Sequence, residues 1–276
     1  LAGLKGDIRG KVRALMAILT VHFFAGKAVE NEEIEAYLPD DVAFLQDAWS
    51  KEVVQVAALV KAVWQDDLKQ GDSLSRKIKI TYLEAEWQLY YLLLSGIIQY
   101  RLGNLTRARQ LAERALHLPL VQKSDRWLGI VYELLSGIYC ELGNTDKTIQ
   151  LSQELIRLGD KYNIPHHIAY GHRRLAQVYL REGKLAQARF ESVLSGQWWS
   201  EANNEAMALH AELETTFIRM LVGEKAEAIF KESELLLDTI LESPKGYGYR
   251  DYALALTGII AREAGQLQQA EEWLGC

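Results

Sequence analysis

The sequence predicts an all-α protein in which about six to seven helix pairs stack into a right-handed superhelix. Two observations predict this fold class. The composition favours helices, because the 276 residues include only 4 prolines and are rich in Leu, Ala, Glu and Gln. A short turn signal containing glycine also recurs along most of the chain. A fixed period of roughly 20 to 50 residues is the sequence signature of a repeat architecture.

The first 80 residues are predicted to form irregular helical repeats. Residues 9–24 are predicted to form a helix that ends at Gly26, and residues 41–68 one or two helices that end at Gly71. The spacing between turn glycines is uneven here, unlike in the rest of the chain. We therefore expect atypical repeats that continue into the regular repeats of residues 81–276 as one superhelix.

In the regular part, each repeat is predicted to consist of a first helix, a glycine turn and a second helix. Apolar residues at spacings of three and four, such as Leu135, Ile138 and Tyr139, indicate amphipathic helices before the turns. A glycine can end such a helix in a left-handed conformation, so that the next helix starts at once. The turn glycines are Gly103, Gly143, Gly183, Gly223 and Gly265. The first helices are predicted near residues 82–102, 122–142, 166–182, 204–222 and 249–264.

Two further patterns keep the same phase. The residue five positions after each turn glycine is small, which predicts a close crossing of the two helices of a pair. Prolines are predicted to mark the longer links between pairs, because a proline ends one helix or starts the next. The small residues are Ala108, Thr148, Ala188, Ala228 and Ala270, and the prolines are Pro39, Pro119, Pro165 and Pro244.

Charge, cysteines and motifs argue against several classes of function. The net charge of −6 disfavours a nucleic-acid-binding surface. Cys140 and Cys276 provide neither a disulfide framework nor metal-ligand spacing, so a cytoplasmic protein is expected. The apolar run at residues 90–98 is too short for a membrane span, and no signal sequence opens the chain. Because phosphate-binding, dinucleotide-binding and nucleophile-elbow motifs are absent from the sequence, we expect neither catalysis nor a cofactor.

The repeat resembles a known superfamily. The pattern Gly-x-x-x-x-Ala after a helix containing Leu-x-x-x-Tyr, as at residues 135–139 and 175–179, resembles the tetratricopeptide consensus over residues 82–276. The period here, about 40 residues, is longer than that of the usual tetratricopeptide repeat. HEAT-type repeats also have a period of about 40 residues, but they lack this spacing of glycine and alanine. A longer repeat of this kind resembles the sensor region of MalT-like, ATP-dependent LuxR-type bacterial transcription regulators, with supporting segments at residues 38–45 and 93–116.

This resemblance implies a non-catalytic region that binds a small effector or a peptide on its concave face and controls activation of a parent protein. It also implies a nucleotide-binding module before the repeats and a helix-turn-helix domain after them. The start at Leu1 and the end at Cys276, shortly after a predicted helix begins, fit an excised piece of such a protein. The alternative is a protein-binding scaffold with no small effector. Self-association is a further expectation for either function.

Candidate ligand contacts follow from the predicted groove, because stacked repeats present their first helices on the concave side. Polar and aromatic residues at the inward positions suit a polar organic ligand such as a sugar or a short peptide. The alternative is that they are ordinary solvated groove residues. In the fourth regular repeat the inward positions Leu213, Phe217 and Met220 predict an apolar groove. The candidates are Tyr90, Tyr100, Glu133, Tyr170, Arg173, Gln177, His210, Tyr252 and Arg262.

Three other groups of residues invite a functional interpretation. Trp198 and Trp199, in the stretch that leads out of a second helix, either stack on a sugar ring or pack between repeats, and packing is the preferred prediction. The histidines at 166, 167 and 172 lack the spacing of a metal site, so no metal is expected. An enzymatic function would need a site built from residues such as His210 and Glu214, which share a helix face.

Overall fold

The structure, a computed structural model, describes residues 48–64, 67–242 and 250–275, together with residues 14 and 17. Within these residues the chain forms thirteen α-helices and no strand, so the prediction of an all-α protein is confirmed. The chain divides into two compact units, Leu1–Leu142 and Gly143–Cys276. The predicted helix over residues 9–24, the turn at Gly26, and Pro39 and Pro244 lie outside the described residues.

The first unit contains six of the described helices. Helices α3 and α4 pack together as the two members of a repeat, and α6 packs on α4. Helices α1 and α2 both pack on α3. The fully buried side chains of Leu59, Leu89 and Ile98 lie in the core of this unit. The helices are α1 (Ala48–Trp64), α2 (Leu68–Lys77), α3 (Ala85–Arg101), α4 (Leu105–Leu116), α5 (Pro119–Gln122) and α6 (Asp125–Glu141), and a short 3-10 helix at Ile80–Tyr82 precedes α3.

The prediction that a helix ends at Gly71 is wrong. Gly71 lies inside α2 and is buried. The break between helices comes earlier, at Asp67, whose Oδ1 atom accepts a hydrogen bond of 2.9 Å from the backbone N–H of Gln70 and caps α2. A Cβ atom on Gly71 would lie 2.7 Å from Cδ1 of Ile98, so this glycine permits close packing of α2 on α3 rather than a turn.

The second unit contains the other seven described helices. Each helix packs on the next one along the chain, and α10 also packs on α12. One core cluster lies among α10, α11, α12 and α13 around Leu213, Phe230 and Ile260. A second cluster joins α8, α9 and α10 around Trp199 and Met207. The helices are α7 (Thr145–Tyr162), α8 (Pro165–Arg181), α9 (Leu185–Glu201), α10 (Glu205–Leu221), α11 (Ala226–Glu242), α12 (Arg250–Glu263) and α13 (Leu267–Leu274).

The five predicted glycine turns are confirmed. The turn glycines have φ between 70° and 101°, the left-handed region in which a side chain is disfavoured. After the turn at Gly183, the backbone N–H of Lys184 donates a hydrogen bond of 2.9 Å to the carbonyl oxygen of Tyr179. This bond satisfies a carbonyl that the end of the helix would otherwise leave free. The predicted first helices therefore correspond to α3, α6, α8, α10 and α12, with ends that agree within a few residues.

The predicted small residue after the turn is buried in four of the five repeats, and Ala228 is the exception. Ala108, Thr148 and Ala188 are fully buried and Ala270 nearly so. Ala228 is exposed, and Ile229 is buried in its place. The reason is that α11 begins at Ala226, three residues after its turn glycine, whereas α4, α7, α9 and α13 begin two residues after theirs. Because of this extra residue before the helix, the buried position shifts from residue 228 to residue 229.

Two of the described links between repeats have a proline as predicted, whereas the link between α9 and α10, residues 202–204, has none. Pro119 is the first residue of the short helix α5, and Pro165 is the first residue of α8. Proline is favoured at this position, because the first N–H groups of a helix have no partner within the helix. None of the helices in the described ranges is both long and apolar enough to cross a bilayer.

Candidate functional site

Six polar side chains from three first helices come together in the second unit and form what we call the polar cluster. The three helices, α8, α10 and α12, are the first helices of consecutive repeats, so the cluster connects these repeats. Four of the nine residues predicted from the inward positions belong to it. Its members are Arg173, Arg174 and Gln177 on α8, His210 and Glu214 on α10, and Tyr252 on α12.

A buried ion pair between Arg173 and Glu214 forms the centre of the polar cluster. The Nε and Nη2 atoms of Arg173 lie 3.1 and 3.0 Å from Oε1 of Glu214, and both donate hydrogen bonds to it. The two residues are only 3% and 5% exposed. Because charged groups are costly to bury without a partner, each of these side chains depends on the other.

An amide extends this pair along α8. The Nη1 atom of Arg174 donates a hydrogen bond of 2.8 Å to Oε1 of Gln177. The Nε2 atom of Gln177 lies 3.5 Å from Oε1 of Glu214, at the long limit for a hydrogen bond, and donates to it. Arg174, Gln177 and Glu214 therefore form a chain of donors and acceptors in which the amide connects a second guanidinium group to the carboxylate.

Tyr252 brings the third first helix, α12, into the cluster. The guanidinium carbon of Arg173 lies 5.7 Å from the centroid of the Tyr252 ring, within the range of a cation–π interaction. Burial raises the pKa of the Tyr252 hydroxyl, and the nearby charge of Glu214 and a hydrogen bond to that carboxylate raise it further. The phenol is therefore protonated and donates to Glu214.

His210 lies on α10 one helical turn before Glu214 and is 1% exposed. Burial, and after it the positive charge of Arg173, together lower the pKa of its imidazole to about 3. The imidazole is therefore neutral at physiological pH. A neutral histidine adds polar atoms to the cluster without adding a charge.

The other predicted contact residues lie outside the polar cluster. Tyr170 is on α8, one turn before the cluster, and its ring centroid lies 5.0 Å from that of Trp199. Arg262 is exposed at the end of α12 and lies 3.3 Å from the neighbouring Glu263 carboxylate. The remaining three candidates belong to the first unit. Glu133 is buried on α6, and Tyr90 and Tyr100 are half-buried on α3.

In the first unit, Tyr90 belongs to an aromatic group. Its ring centroid lies 5.7 Å from that of Trp127 on α6, with the rings nearly perpendicular, and 6.1 Å from that of Trp87. Edge-to-face contacts at this distance add to the packing of aromatic rings. Tyr90 therefore contributes to the contact between α3 and α6, besides its predicted position in the groove.

The tryptophan pair lies within a helix. Helix α9 extends to Glu201, so Trp198 and Trp199 are part of it rather than of a stretch that leaves it. Trp199 is fully buried and packs edge-on against His166 at 4.9 Å between ring centroids. Trp199 also belongs to one buried cluster with Met207 and Ala211 on α10, the first helix of the next repeat, so the prediction that it packs between repeats is confirmed. His166 and His167 are buried at the start of α8 beside Pro165.

The apolar inward residues of α10 belong largely to the core. Leu213 is fully buried in the cluster among α10 to α13, and Phe217 and Met220 are partly buried against it. Among the described residues, no group of three or more His, Cys, Asp or Glu side chains could hold a metal ion.

Two members of the polar cluster were not predicted as ligand contacts. Arg174 directly follows a predicted residue, and Glu214 belongs, together with His210, only to the enzymatic alternative. One signal in the sequence does connect Arg173 with Glu214, because they lie 41 residues apart, about one repeat length. Opposite charges at that separation face each other only if each first helix is rotated about its own axis so that the two side chains point toward one another. The repeat period does not specify that rotation.

Comparisons with known proteins show the fold. No family model matches the chain, and no curated protein matches it. Among solved structures, a Rap protein complexed with competence and sporulation factor matches with a TM-score of 0.76 and 10% identity, over 97% of this chain and 74% of that one. A signal transduction ATPase with numerous domains and a tetratricopeptide repeat sensor, from Pyrococcus horikoshii, matches with a TM-score of 0.60 and 15% identity. The fold is a tetratricopeptide-like helical repeat.

The tetratricopeptide-like chain covers unequal shares of these structures. The match with the Pyrococcus horikoshii ATPase covers 99% of this chain but only 41% of that one. A third structure, BtubC from P. vanneervenii, matches with a TM-score of 0.52 and 14% identity, over 83% of this chain and 89% of that one. At such low identities the similarity shows the arrangement of the helices and does not extend to residues or ligands.

Proposed function

We propose that the chain is a non-catalytic sensor region that binds a small effector or a peptide along its first helices and thereby controls the activation of a parent protein. The observation that carries this proposal is the polar cluster, which places the buried pair Arg173 and Glu214 on the helices that repeat proteins use for binding. The same cluster connects α8, α10 and α12, so a ligand that changes its contacts acts on three repeats at once.

Two of the similar structures support this class of function by their own descriptions. The Rap protein is complexed with a factor, and the Pyrococcus horikoshii protein is an ATPase with a repeat sensor. By analogy, we propose that the parent is a MalT-like, ATP-dependent transcription regulator in the cytoplasm. In that parent the irregular repeats of residues 1–80 would continue into the regular repeats of residues 81–276 as one superhelix. Tyr90, Tyr100 and Glu133 remain proposed ligand contacts of the first unit.

A second candidate function is a protein-binding scaffold without a small effector, with self-association as one form of it. The alternation of first and second helices supports it equally, because repeat proteins bind folded partners and peptides on the same surfaces. The two functions differ in whether a small molecule alone stabilises the chain.

A thermal-unfolding screen against sugars, amino acids, nucleotides and short peptides tests the sensor function. A ligand at about 100 times its dissociation constant should add roughly 2.7 kcal/mol to the free energy of unfolding. The half-buried residues Gln177 and Tyr252 are the positions to change, as Gln177→Ala and Tyr252→Phe, because neither substitution leaves a buried charge unpaired. Arg262→Ala is the matched control at an exposed predicted contact.

We expect one chemical class to give a concentration-dependent shift that Gln177→Ala and Tyr252→Phe weaken by about tenfold in affinity and that Arg262→Ala weakens less. A shift that survives both cluster substitutions would place the ligand elsewhere. A well-folded protein that none of the compounds stabilises would contradict the sensor function and favour the scaffold.

A further inference from the structure

Helix α9 carries a row of exposed residues without any charge, which we call the α9 stripe. Phe190 is 62% exposed and Val193 is 40% exposed, so two large apolar side chains lie at its centre. The opposite side of the helix packs against the rest of the unit through Ala188, Ser192 and Trp199, which are fully buried. The stripe consists of Ala186, Phe190, Val193, Gln197 and Ser200.

The repeat itself does not require apolar residues at these positions. Helix α7, the second helix of the preceding repeat, carries only polar and charged residues at the same distances from its turn glycine, and all of them are exposed. An exposed aromatic ring gains free energy only when a contact removes it from water. The α9 stripe therefore indicates a contact surface. The equivalent residues of α7 are Asp146, Gln150, Gln153, Arg157 and Asp160.

The spacing of the stripe fits a helix that carries the same spacing. Its residues follow one another at intervals of four, three, four and three, which is the pattern of the a and d positions of a coiled coil. A two-fold symmetric dimer brings together the same surface of both copies, so that surface must fit itself. In an antiparallel pair centred between Phe190 and Val193, the large ring of each copy faces the smaller valine of the other.

The charges at the ends of α9 favour the antiparallel direction. Lys184 is the N-cap residue and Glu201 is the last residue of the helix, and each has the sign that the dipole of its own helix disfavours at that end. An antiparallel copy places each of them near the helix end that favours its charge. Arg189, which flanks the stripe, lies 3.9 Å from Glu224 of the same chain, so its charge is compensated without a partner.

We propose that two copies of this chain associate through their α9 stripes as an antiparallel, two-fold symmetric pair. One helix from each copy buries less than the roughly 1,200 Å² of a standard interface, so the dimer is reversible and micromolar. This inference specifies the surface for the self-association included in the second candidate function. It does not rest on the sensor function, because the polar cluster lies on first helices and α9 is a second helix.

The experiment measures the mass of the whole chain by sedimentation equilibrium at concentrations from about 1 to 300 μM. We expect the average mass to rise toward twice that of one chain. Phe190→Lys and Val193→Lys should each weaken the dimer at least about tenfold, because they bring a charge into the apolar centre of the contact. Leu235→Lys and Leu267→Lys are the matched controls, since these leucines are 69% and 61% exposed on other helices. They should leave the dissociation constant nearly unchanged.

A mixture of two variants tests the antiparallel direction. In an antiparallel pair of a Phe190→Lys chain with a Val193→Glu chain, the two introduced charges face each other and one apolar contact is kept. Each variant paired with itself loses both apolar contacts. We therefore expect the equimolar mixture to associate several-fold more tightly than either variant alone. A parallel pair would give the mixture no such advantage, because equal positions would then face each other.

Three results would overturn the inference. The first is a wild-type chain that stays monomeric over the whole range, and the second is a dimer that both lysine variants leave intact. The third is a dimer that Leu267→Lys weakens as strongly as Phe190→Lys, since the contact would then lie at α13. A mixture without preference would refute the antiparallel direction. Circular dichroism checks folding, and Val193→Lys decides the matter if Phe190→Lys does not fold. The ligand screen tests the sensor function separately, so either proposal can fail alone.

Discussion

Arg173 and Glu214 lie 41 residues apart in the sequence, yet their Nη2 and Oε1 atoms are 3.0 Å apart in the structure. The pair connects the first helices of two successive repeats and is almost completely buried. It places opposite charges at equivalent faces of α8 and α10, next to the ring of Tyr252 on α12. The energetics of the polar cluster therefore depend on this contact.

Removing one partner of this pair should destabilise the chain far more than removing both. We expect Arg173→Met to lower the free energy of unfolding by about 3–5 kcal/mol, because Glu214 is left buried without its cation. The double variant Arg173→Met with Glu214→Leu should recover most of that loss. Urea unfolding of wild type, Arg173→Met, Glu214→Leu and the double variant measures the coupling between the two side chains.

Arg219→Met is the control for this cycle. Arg219 pairs with Glu232 and Glu224, and its side chain is 26% exposed. Pairs near the surface contribute about 0–1 kcal/mol, so this change should be small. Equal losses for Arg173→Met and Arg219→Met would show that burial does not govern the strength of these pairs.

The histidine of the cluster should make stability depend on pH. The pKa of His210 is about 3 in the folded chain, below the value of about 6.5 expected when the chain is unfolded. As the pH falls below about 6.5, the unfolded chain takes up the proton first. The free energy of unfolding therefore decreases by about 1.4 kcal/mol per pH unit until the pKa of the folded chain is reached. Above that range this group adds no pH dependence.

The substitution His210→Gln should remove this contribution to the pH dependence of the free energy of unfolding. The difference in unfolding free energy between wild type and variant at pH 7.5 measures the packing cost of the substitution. The change in that difference between pH 7.5 and pH 5 measures the titration of His210, and we expect wild type to lose about 2 kcal/mol more than the variant. Parallel pH profiles for the two proteins would contradict a neutral, buried imidazole.

The turn glycines should be needed for their backbone conformation alone. Gly183 has a φ of 70°, and a Cβ atom added there would meet no atom within 4 Å. We therefore expect Gly183→Ala to destabilise the second unit by about 1 kcal/mol through backbone strain. Gly183→Asn should cost less, since Asn163 and Asn203 already adopt positive φ in this chain. Thermal unfolding compares the two variants, and an equal cost would point to a cause other than conformation.

Two helical glycines should respond to alanine in opposite directions. A Cβ atom on Gly171 would lie 2.7 Å from the carbonyl oxygen of Ser152, so Gly171→Ala should force α8 away from α7 and cost about 1–3 kcal/mol. A Cβ atom on Gly196 would lie 3.5 Å from that of Ala211, an ordinary contact. Gly196→Ala should therefore stabilise the chain by about 0.5–1 kcal/mol. Chemical unfolding of both variants tests this contrast, which a loss of stability in Gly196→Ala would contradict.

Much of the fold could be predicted because its signals are local. A glycine such as Gly183 ends a helix through its own backbone freedom, and a proline such as Pro165 starts the next through its fixed φ. Neither depends on distant contacts. Gly71 misled the prediction because the same residue type also serves close packing, and only its neighbour Ile98 distinguishes the two uses.

The site was predicted less completely. The inward positions identified Arg173, Gln177, His210 and Tyr252, which the structure brings into one cluster. They did not identify the role of Glu214, because position within a repeat does not state which side chain a residue meets in the next repeat.

The sequence by itself determined the helical class, the repeat period and the five turns, since these follow from residue properties within a few positions of each other. Only the tertiary structure decided that Arg173 pairs with Glu214, that His210 is buried and that Ile229 replaces Ala228 in the core. The physical reason is rotation about the helix axis. A single added residue turns a helix by about 100°, and the resulting contacts are set by packing between repeats rather than by the local chain.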